Sequence, residues 1–409
     1  MKTNKLLILG IGNVALKYLE EALAPYNLEP VVMGERNDRP AQTWDSFSPT
    51  RFHAVALEAQ SIERYLANHS ELRQRICAVT TLFDEQWPLV ETVALKQGWA
   101  YPGHAVVRLS DKSTAATCAR ALSPPTYPFD ACAPERLAAI LDSGHGAWIV
   151  KPACCSGGEA VGRITGGPSA LSQIRVHLAR HFALQAQRWL LQPCLEGTLI
   201  SFEGYMAQAV LHRVGISRRT RIGLTEVANR FPANHCITAQ QQALGWEGLQ
   251  QMFAVAGYRD GWFHCECIVG PSGLHLIDAN AGRIGGATVL EQAALAMGVL
   301  PHELLAHVLL LPLPQLQRRL PALRPANLET LGVWYGLAET AVLQTLELAP
   351  QSARHTRFAK DGAVVPPVGT SDYAWVGMFS GFEADVLTGL NNLRLITDRG
   401  PMAPAFSLD

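Results

Sequence analysis

Two acidic residues, an asparagine and an arginine lie close together in the segment Trp262 to Gly286, WFHCECIVGPSGLHLIDANAGRIGG. The pattern predicts two short strands, Trp262 to Val269 and Leu274 to Asn280, joined by a Gly-Pro-Ser-Gly turn. Because side chains alternate between the two faces of a strand, the polar residues of each strand are expected on a common face.

A hairpin centred on Ser272 would set Glu266 opposite Asp278 and His264 opposite Asn280, with Leu276 on the same face as the two later residues. Opposed residues have Cβ atoms about 5 Å apart. Two carboxylates at that separation repel each other unless a proton or a cation lies between them. Oxygen ligands of this kind suit Mg²⁺, which shares them with substrate phosphates.

Arg283 follows the second strand, beside Gly285 and Gly286. A guanidinium at this place is suited to hold a phosphoryl group or a carboxylate. The hairpin therefore predicts a magnesium–nucleotide site. The alternative for this segment alone is an edge hairpin whose acids are solvated.

A lysine ends an apolar strand earlier in the chain, in Ala147-Trp-Ile-Val-Lys151-Pro152. Ser156, Gly157 and Gly158 follow in a loop whose backbone N–H groups could reach phosphate oxygens. No G-K-[ST] sequence is present, so this is not a P-loop. The alternative is a plain hairpin with a solvated lysine.

Lys112 lies at the predicted start of a helix that Ser110 or Asp111 can cap. A cation at a helix N-terminus opposes the helix dipole, which suggests an anionic partner, but the favoured interpretation of this motif alone is a solvated lysine. Downstream, Trp189-Leu-Leu-Gln192-Pro breaks into a polar bend before a strand at Leu199–Ala207. Such a bend could present Gln192 to a purine edge, or it is only a turn.

The first segment, up to about Tyr101, predicts alternating strands and helices and hence a parallel sheet. Gly10-x-Gly12-x-x-Ala15 after the first strand has the form of a dinucleotide fingerprint, with Glu35 near the end of the second strand. The favoured interpretation is a tight strand-to-helix turn that requires small residues.

The chain has 409 residues, 34 basic and 35 acidic, so its formal charge of −1 argues against nucleic-acid binding. No apolar run is long enough to span a membrane, and the first residues read as a strand rather than a signal peptide. Nine cysteines without a secretion signal favour reduced thiols and a cytoplasmic protein. Zinc binding is disfavoured because alternation turns Cys265 and Cys267 away from His264.

Taken together and in this order, these motifs resemble the ATP-grasp superfamily of ATP-dependent carboxylate–amine ligases. His264-Cys-Glu266 and the Arg-x-Gly-Gly ending look most like the L-amino acid ligase branch. The resemblance implies an α/β and α+β chain with the ATP-grasp fold. It would have a Rossmann-like N-terminal domain over residues 1–105, a small subdomain over 106–190, a large subdomain with the metal site over 191–310, and a C-terminal α+β subdomain over 311–409.

The resemblance also implies a role for each motif. Lys112 and Lys151 would contact ATP, the loop at Ser156, Gly157 and Gly158 would cover its phosphates, and Gln192 with Leu195 would form the adenine hinge. Glu266, Asp278 and Asn280 would bind Mg²⁺, or Mn²⁺ in its place. Arg283, together with Lys151, would stabilise the transferred phosphoryl group.

Several positions depart from the family pattern. Asp278 stands where a glutamate is usual, and one extra residue separates Asn280 from Arg283. Leu199 falls where a ribose-binding glutamate is common, so Glu203 or Glu196 is the candidate to replace it.

The function implied is formation of an amide bond between a carboxylate, an amino acid by preference, and an amine, with an acyl phosphate as intermediate. The partners would be small molecules, with a homodimer as a family-level expectation. The rivals are another ATP-grasp reaction such as carboxylation or purine-pathway ligation, an NAD(P)-dependent oxidoreductase, and a non-catalytic nucleotide-binding module. The general base is unassigned, with His264, Glu203 and His212 as candidates.

Arg218, Arg219 and Arg221 form a basic run that could bind a substrate carboxylate. The favoured interpretation of this run is a solvated loop.

Overall fold

The computed structural model describes residues 4–10, 17–34, 52–142, 146–155, 160–184, 186–223, 225–285, 289–313, 315–316, 320–370 and 374–409. In these ranges the strands are β1 (Asn4–Leu9), β2 (Leu28–Gly34), β3 (Phe52–Ala54), β4 (Ile76–Thr80), β5 (Tyr127–Asp130), β6 (Ala147–Pro152), β7 (Gly162–Thr165), β8 (Arg188–Pro193), β9 (Thr198–Ala207), β10 (Val210–Ile222), β11 (Thr225–Phe231), β12 (Gly261–Gly270), β13 (Gly273–Ala281), β14 (Thr330–Gly336), β15 (Ala341–Leu348), β16 (Arg354–Arg357), β17 (Val364–Val365), β18 (Trp375–Gly381), β19 (Leu393–Thr397) and β20 (Gly400–Met402). The α-helices are α1 (Leu19–Leu23), α2 (Ala59–Asn68), α3 (Ser70–Arg75), α4 (Trp87–Gln97), α5 (His104–Ser110), α6 (Lys112–Cys118), α7 (Ala138–Leu141), α8 (Ala170–Arg180), α9 (Ala239–Ala256), α10 (Val289–Met297), α11 (Pro301–Leu310) and α12 (Glu383–Asn391).

The N-terminal sheet is parallel, in the order β3-β2-β1-β4, as the alternation of strands and helices predicts. Gly10 ends β1 with a positive φ of 64°, and its N–H donates to the carbonyl of Met33 at the end of β2. The other fingerprint positions, Gly12, Ala15 and Glu35, lie outside the described residues.

Two small sheets flank a large one. A four-stranded sheet in the order β5-β8-β6-β7 carries Lys151, and a second in the order β17-β15-β19-β20 lies near the C-terminus. The large sheet has eight strands in the order β13-β12-β9-β10-β11-β14-β18-β16. It therefore crosses the predicted boundary at residue 310, since β14, β16 and β18 extend it, and β8 crosses the boundary at 190. The domain limits stay a prediction.

The large sheet separates two hydrophobic clusters at its β12 end. The side chains of Phe263, Cys265 and Cys267 lie on one face of β12 and pack into the core that also contains Trp246 and Phe253 of α9. Both ends of helix α9 are capped. Thr238 forms a capping box with Gln241 at the N-terminus, and Gly257 ends the helix with a φ of 75°. The opposite face of β12 carries Trp262, His264 and Glu266, as alternation predicts.

Trp262 packs into a second cluster, together with residues of α10 and α11. No single helix of the described chain is long and apolar enough to cross a membrane, and only α10 and α11 taken together, at a bend of 109°, meet the length and composition test.

A buried carboxylate links the N-terminal and C-terminal parts of the chain. Glu291 of α10 accepts a hydrogen bond from the Tyr18 hydroxyl and pairs with Lys17 at 2.5 Å. Arg354 of β16 donates to the Tyr18 hydroxyl at 2.9 Å and lies 3.6 Å from Glu291. The start of α10, just after the Arg-x-Gly-Gly segment, is thereby held from both sides.

Candidate functional site

The β12–β13 hairpin has the pairing that the sequence predicts. Glu266 lies opposite Asp278, and His264 lies opposite Asn280. The turn is tighter than a hairpin centred on Ser272 requires, because Gly270 pairs with Gly273. The two carboxylates are therefore neighbours on one face of the sheet.

A bulge reconciles the tight turn with this pairing. Cys267 pairs with Leu276, whereas the next pair is Glu266 with Asp278, so Ile277 is the extra residue of β13. Because of the extra residue, the β13 side chains before the bulge point to the opposite face of the sheet from the one that simple alternation predicts. Leu276 accordingly packs with Cys267 in the core. The expectation that Leu276 shares a face with Asp278 and Asn280 is wrong for this reason.

Lys151 reaches the hairpin at the bulge. Its Nζ donates to the Ile277 carbonyl at 2.7 Å. Burial lowers the pKa of Lys151 to about 8, and the nearby Asp278 carboxylate only partly offsets that effect. A lysine from the small sheet is thus held at the bulge next to Asp278, with a pKa that keeps it mostly charged at neutral pH.

Lys112 approaches the same acid from another element. Asp111 caps α6 by accepting from the N–H of Thr114, one of the two caps predicted. Lys112 Nζ lies 3.3 Å from Asp278 Oδ1 and donates to the Cys155 carbonyl at 2.7 Å. Burial alone would lower the pKa of Lys112, but Asp278 and Asp84 raise it, so this lysine is charged. The favoured interpretation of Lys112 taken alone, a solvated lysine, is therefore wrong, because this side chain is largely buried and paired with Asp278.

Glu266 is paired with arginine rather than exposed to solvent. Arg219 of β10 donates through Nη1 to Glu266 Oε1 and through Nη2 to Glu226 Oε2. Burial alone would raise the pKa of Glu266, but Arg219, His264 and Arg221 hold it well below the usual value. Arg219 is only 8% exposed and lies within a thirteen-residue strand. The interpretation of this basic run as a solvated loop is therefore wrong for Arg219.

His264 links Glu266 to a second buried acid. Its Nδ1 lies 2.5 Å from Glu203 Oε1, and its Nε2 lies 3.2 Å from Glu266 Oε1. Burial alone would lower the pKa of His264, but the two glutamates raise it to about 9. Glu203 is fully buried and lies opposite His264 on the neighbouring strand β9. Any contribution of Glu203 to a nucleotide site would consequently act through His264.

Asn280 is buried and fixed by its own hairpin. Its Nδ2 donates to the His264 carbonyl at 3.1 Å, across the strand pair. Since the amide nitrogen is engaged, the amide oxygen is the atom available as a ligand. This orientation is the one that a metal site on the hairpin requires.

Arg283 is turned toward the N-terminal domain. Its Nε and Nη2 lie 2.7 and 2.6 Å from Asp84 Oδ2. The turn is made at Gly282, whose φ is 86°, and whose N–H donates to the carbonyl of Trp262 at 2.7 Å. The extra residue before Arg283 thus permits a sharp change of direction, which a Cβ at this position would resist.

The predicted adenine hinge lies at the end of β8. Gln192 is buried, and its Nε2 donates to Thr126 Oγ1 at 2.8 Å. Leu195 is half-buried in the segment that connects β8 to β9, and Leu199 is buried. Ser156, Gly157 and Gly158 lie outside the described residues.

A small cleft joins the lysine helix, the hinge and the hairpin. Its lining includes Lys112, Ser123, Gln192 and Asp278, together with Ile277 of the bulge. The cleft therefore brings together three of the elements that carry predicted site residues, α6, β8 and β13, with the segment after α6 between them in the chain.

The donor set fits a hard divalent ion. In the described residues, Lys112 lies 3.3 Å from Asp278 Oδ1 and Arg219 donates to Glu266 Oε1, whereas Arg221 comes no closer than 3.6 Å to Glu266 Oε2. The second oxygens and the Asn280 amide oxygen are the remaining oxygen donors, the type that Mg²⁺ prefers. No group of three or more His, Cys, Asp or Glu side chains suited to a metal occurs in the part of the chain that the structure describes.

Cations slightly exceed acids around the hairpin. The cations at the hairpin are Lys112, Lys151, Arg219, Arg221, His264 and Arg283. The acids are Asp84, Glu203, Glu226, Glu266 and Asp278. Such a surface can receive a polyphosphate together with a divalent ion.

Sequence reasoning missed two members of this set. Asp84 belongs to a short helix, Asp84–Gln86, and Glu226 to β11. No neighbouring residue in the sequence identifies either acid as part of the site. Asp84 pairs with an arginine from a distant segment, and Glu226 pairs with an arginine of the neighbouring strand. Only the presence of unpaired arginines in the predicted site could have suggested that acids were missing from it.

The sequence comparisons give no match: no protein-family model matches this chain, and neither does any curated protein. Solved structures do match. The chain is similar to the L-amino acid ligase from Bacillus licheniformis, with a TM-score of 0.74 and 15% identity over 97% of this chain and 99% of the other.

Two further structures are similar over the same length. The biotin carboxylase domain of the Hydrogenobacter thermophilus 2-oxoglutarate carboxylase, solved with MgADP, ADP and bicarbonate, has a TM-score of 0.72 and 13% identity, over 97% and 91% of the two chains. Phosphoribosylglycinamide synthetase from Anaerococcus prevotii has a TM-score of 0.68 and 11% identity, over 96% and 99%.

The chain has the ATP-grasp fold, and the fold class predicted from the sequence is confirmed. The parallel N-terminal sheet, the small antiparallel sheet and the large antiparallel sheet are all parts of it. At these identities the comparisons define the fold, and the branch and the reaction are matters of proposal.

Proposed function

We propose that this protein is an ATP-dependent ligase that joins a carboxylate, an amino acid by preference, to an amine. The observation that carries the proposal is the convergence of two lysines on the acidic hairpin. Lys112 contacts Asp278, and Lys151 contacts the carbonyl of the residue before it. These lysines come from different elements, α6 and β6, and neither contact is needed to form the hairpin itself.

The chemistry requires activation of an unreactive acid. The carboxylate oxygen would attack the γ-phosphorus of ATP, releasing ADP and forming an acyl phosphate. The amine nitrogen would then attack the acyl carbon, lose a proton and expel phosphate, leaving an amide. The acyl phosphate must be kept from water, which would hydrolyse it.

The chain's residues would serve these steps through charge. Lys112 and Lys151 would hold the phosphates, and Gln192 with the segment at Leu195 would receive the adenine. The loop at Ser156, Gly157 and Gly158 would cover the phosphates.

The other roles follow from the carboxylate pair. Mg²⁺, or Mn²⁺, held by Glu266, Asp278 and Asn280 would neutralise phosphate charge. Arg283 would stabilise the transferred phosphoryl group after leaving Asp84, with which it pairs in this structure. The proposal leaves the general base open.

The first experiment is a phosphate-release screen with ATP, Mg²⁺ and pairwise amino-acid mixtures, with products identified by mass spectrometry. We expect release that depends on both an acid and an amine, and an amide product. Release that instead requires bicarbonate would favour a carboxylation reaction, and release with no amino-acid dependence would refute the amino-acid preference. Quenching or enhancement of NADH fluorescence on titration would favour the oxidoreductase.

The second experiment tests the metal ligand directly. Glu266→Gln should reduce ATP turnover by at least about a hundredfold, because charge neutralisation in the transition state is lost. Glu347→Gln, an exposed glutamate within β15, is the matched control and should leave turnover unchanged. ADP release at the normal rate by Glu266→Gln would refute the metal assignment.

A further inference from the structure

Two different side chains bind the same oxygen of Glu266. Arg219 Nη1 and His264 Nε2 both contact Oε1, the second at 3.2 Å. The other oxygen, Oε2, has a longer approach from Arg221 Nη2, at 3.6 Å. Arg221 is the more exposed partner, since 35% of its side chain is accessible against 6% for Arg219. The carboxylate is therefore held by one oxygen and presents the other.

Arg219 is itself fixed from the other end of its guanidinium. Nη2 donates to Glu226 Oε2, while Nη1 serves Glu266. Burial alone would lower the pKa of Arg219, but Glu226 and Glu266 raise it, so the arginine remains charged although buried. Two carboxylates on adjacent nitrogens define the plane of the guanidinium, which a flexible point charge could not reproduce.

We propose that Arg219 is a positioning residue that holds Oε1 of Glu266 and thereby directs Oε2 toward the divalent ion of the nucleotide site. The inference rests on the proposed function, which makes Glu266 a metal ligand. Groups that orient a metal-binding carboxylate typically change metal affinity by about 10–100-fold when they are removed. Arg219 lies on β10, two strands away from Glu266, and is not part of any motif that identifies the hairpin.

The test uses Mn²⁺ as the probe and measures its binding by electron paramagnetic resonance in the presence of ADP. Arg219→Lys keeps the charge but has a single nitrogen on a flexible stem, so it cannot reproduce the two separate, coplanar contacts that the guanidinium makes to Glu266 and Glu226. We expect its Mn²⁺ affinity to fall by about 10–100-fold. The concentration of Mg²⁺ needed for half-maximal turnover should rise by the same factor, while kcat at saturating Mg²⁺ stays within a few fold of the wild type.

The matched control is Arg218→Lys, the same substitution one residue earlier, where alternation turns the side chain to the opposite face of β10. It should bind Mn²⁺ as the wild type does. Unchanged or tighter Mn²⁺ binding by Arg219→Lys would overturn the proposal, because the arginine would then be only a structural ion pair or a competitor of the metal.

A double variant separates positioning from loss of folding. Arg219→Gln with Glu226→Gln removes one charge of each sign, so its melting temperature should stay closer to the wild type than that of Arg219→Gln alone. Its Mn²⁺ affinity should still be weak because Oε1 of Glu266 has lost the guanidinium. Recovery of wild-type affinity in the double variant would show that an uncompensated Glu226, rather than a lost contact, was responsible.

The two proposals fail in different ways. If the wild-type protein does not bind Mn²⁺ with ADP, the metal site and the role of Arg219 fall together. If the wild type binds Mn²⁺ and Arg219→Lys binds it equally well, only the role of Arg219 is refuted.

Discussion

Replacing Asp84 by alanine should reveal how strongly the N-terminal domain is coupled to the site. Asp84 Oδ2 lies 2.7 Å from Arg283 Nε and 2.6 Å from Nη2, and the two side chains are only 6% and 14% exposed. Burial raises the pKa of Asp84, and Arg283 opposes that shift. The substitution leaves a buried guanidinium without this carboxylate.

The magnitude follows from burial. Breaking a buried pair by removing one partner typically costs about 3–5 kcal/mol, because the remaining charge is not compensated. We therefore expect Asp84→Ala to lower the free energy of unfolding by about 3–5 kcal/mol. Adding Arg283→Met to Asp84→Ala should recover part of the loss, with an interaction energy of up to about 3 kcal/mol in the double-mutant cycle.

The assay is urea unfolding followed by tryptophan fluorescence, to which the fully buried Trp87, close to Asp84 in sequence, contributes. Arg399 and Glu339 form the control pair, at 2.7 Å but about half exposed. Because exposed pairs contribute about 0–1 kcal/mol, Glu339→Ala should have little effect. An effect of Asp84→Ala as small as that of Glu339→Ala would refute the reasoning.

Two further predictions concern Lys151 and Gly282. Burial lowers the pKa of Lys151 from 10.5 to about 8, so between these two pH values the unfolded chain binds more protons than the folded chain. The free energy of unfolding of the wild type relative to Lys151→Met, measured by urea unfolding, should therefore rise with pH across that window. Nucleotide affinity in the presence of Mg²⁺, measured by calorimetry, should fall above pH 8 as the charge is lost, whereas Lys151→Arg should show no such fall; equal pH profiles would contradict the assignment. Gly282→Ala should lower the free energy of unfolding by roughly 2–5 kcal/mol, because φ is positive and the new Cβ would lie 2.5 Å from Trp87 and 2.7 Å from Val106. A variant whose urea midpoint equals that of the wild type would contradict this prediction.

The sequence was sufficient for features that depend on local periodicity. Alternation placed His264 and Glu266 on one face of β12 and turned Cys265 away, and the turn residues placed Asp278 opposite Glu266. The bulge at Ile277 could not be predicted, because a two-residue turn with a bulge and a longer turn without one give the same pairing at Glu266.

Features that depend on distant pairing could not be predicted. Arg219 belongs to a basic run for which a solvated loop is the favoured interpretation, whereas its partner Glu266 lies 47 positions away in the chain. Asp84 and Arg283 are separated by 199 positions. The helix dipole suggests an anionic partner for Lys112, but it neither outweighs the favoured interpretation of a solvated lysine nor identifies Asp278 as the partner.

The way in which the last quarter of the chain joins the large sheet limits how the protein can be divided. Strand β14 forms hydrogen bonds with β11, and β18 follows it in the same sheet. Cutting the chain after Leu310 would strip both strands away and leave β11 with a bare row of backbone donors and acceptors. Such an edge recruits other chains, so a fragment of residues 1–310 should precipitate rather than stay folded on its own.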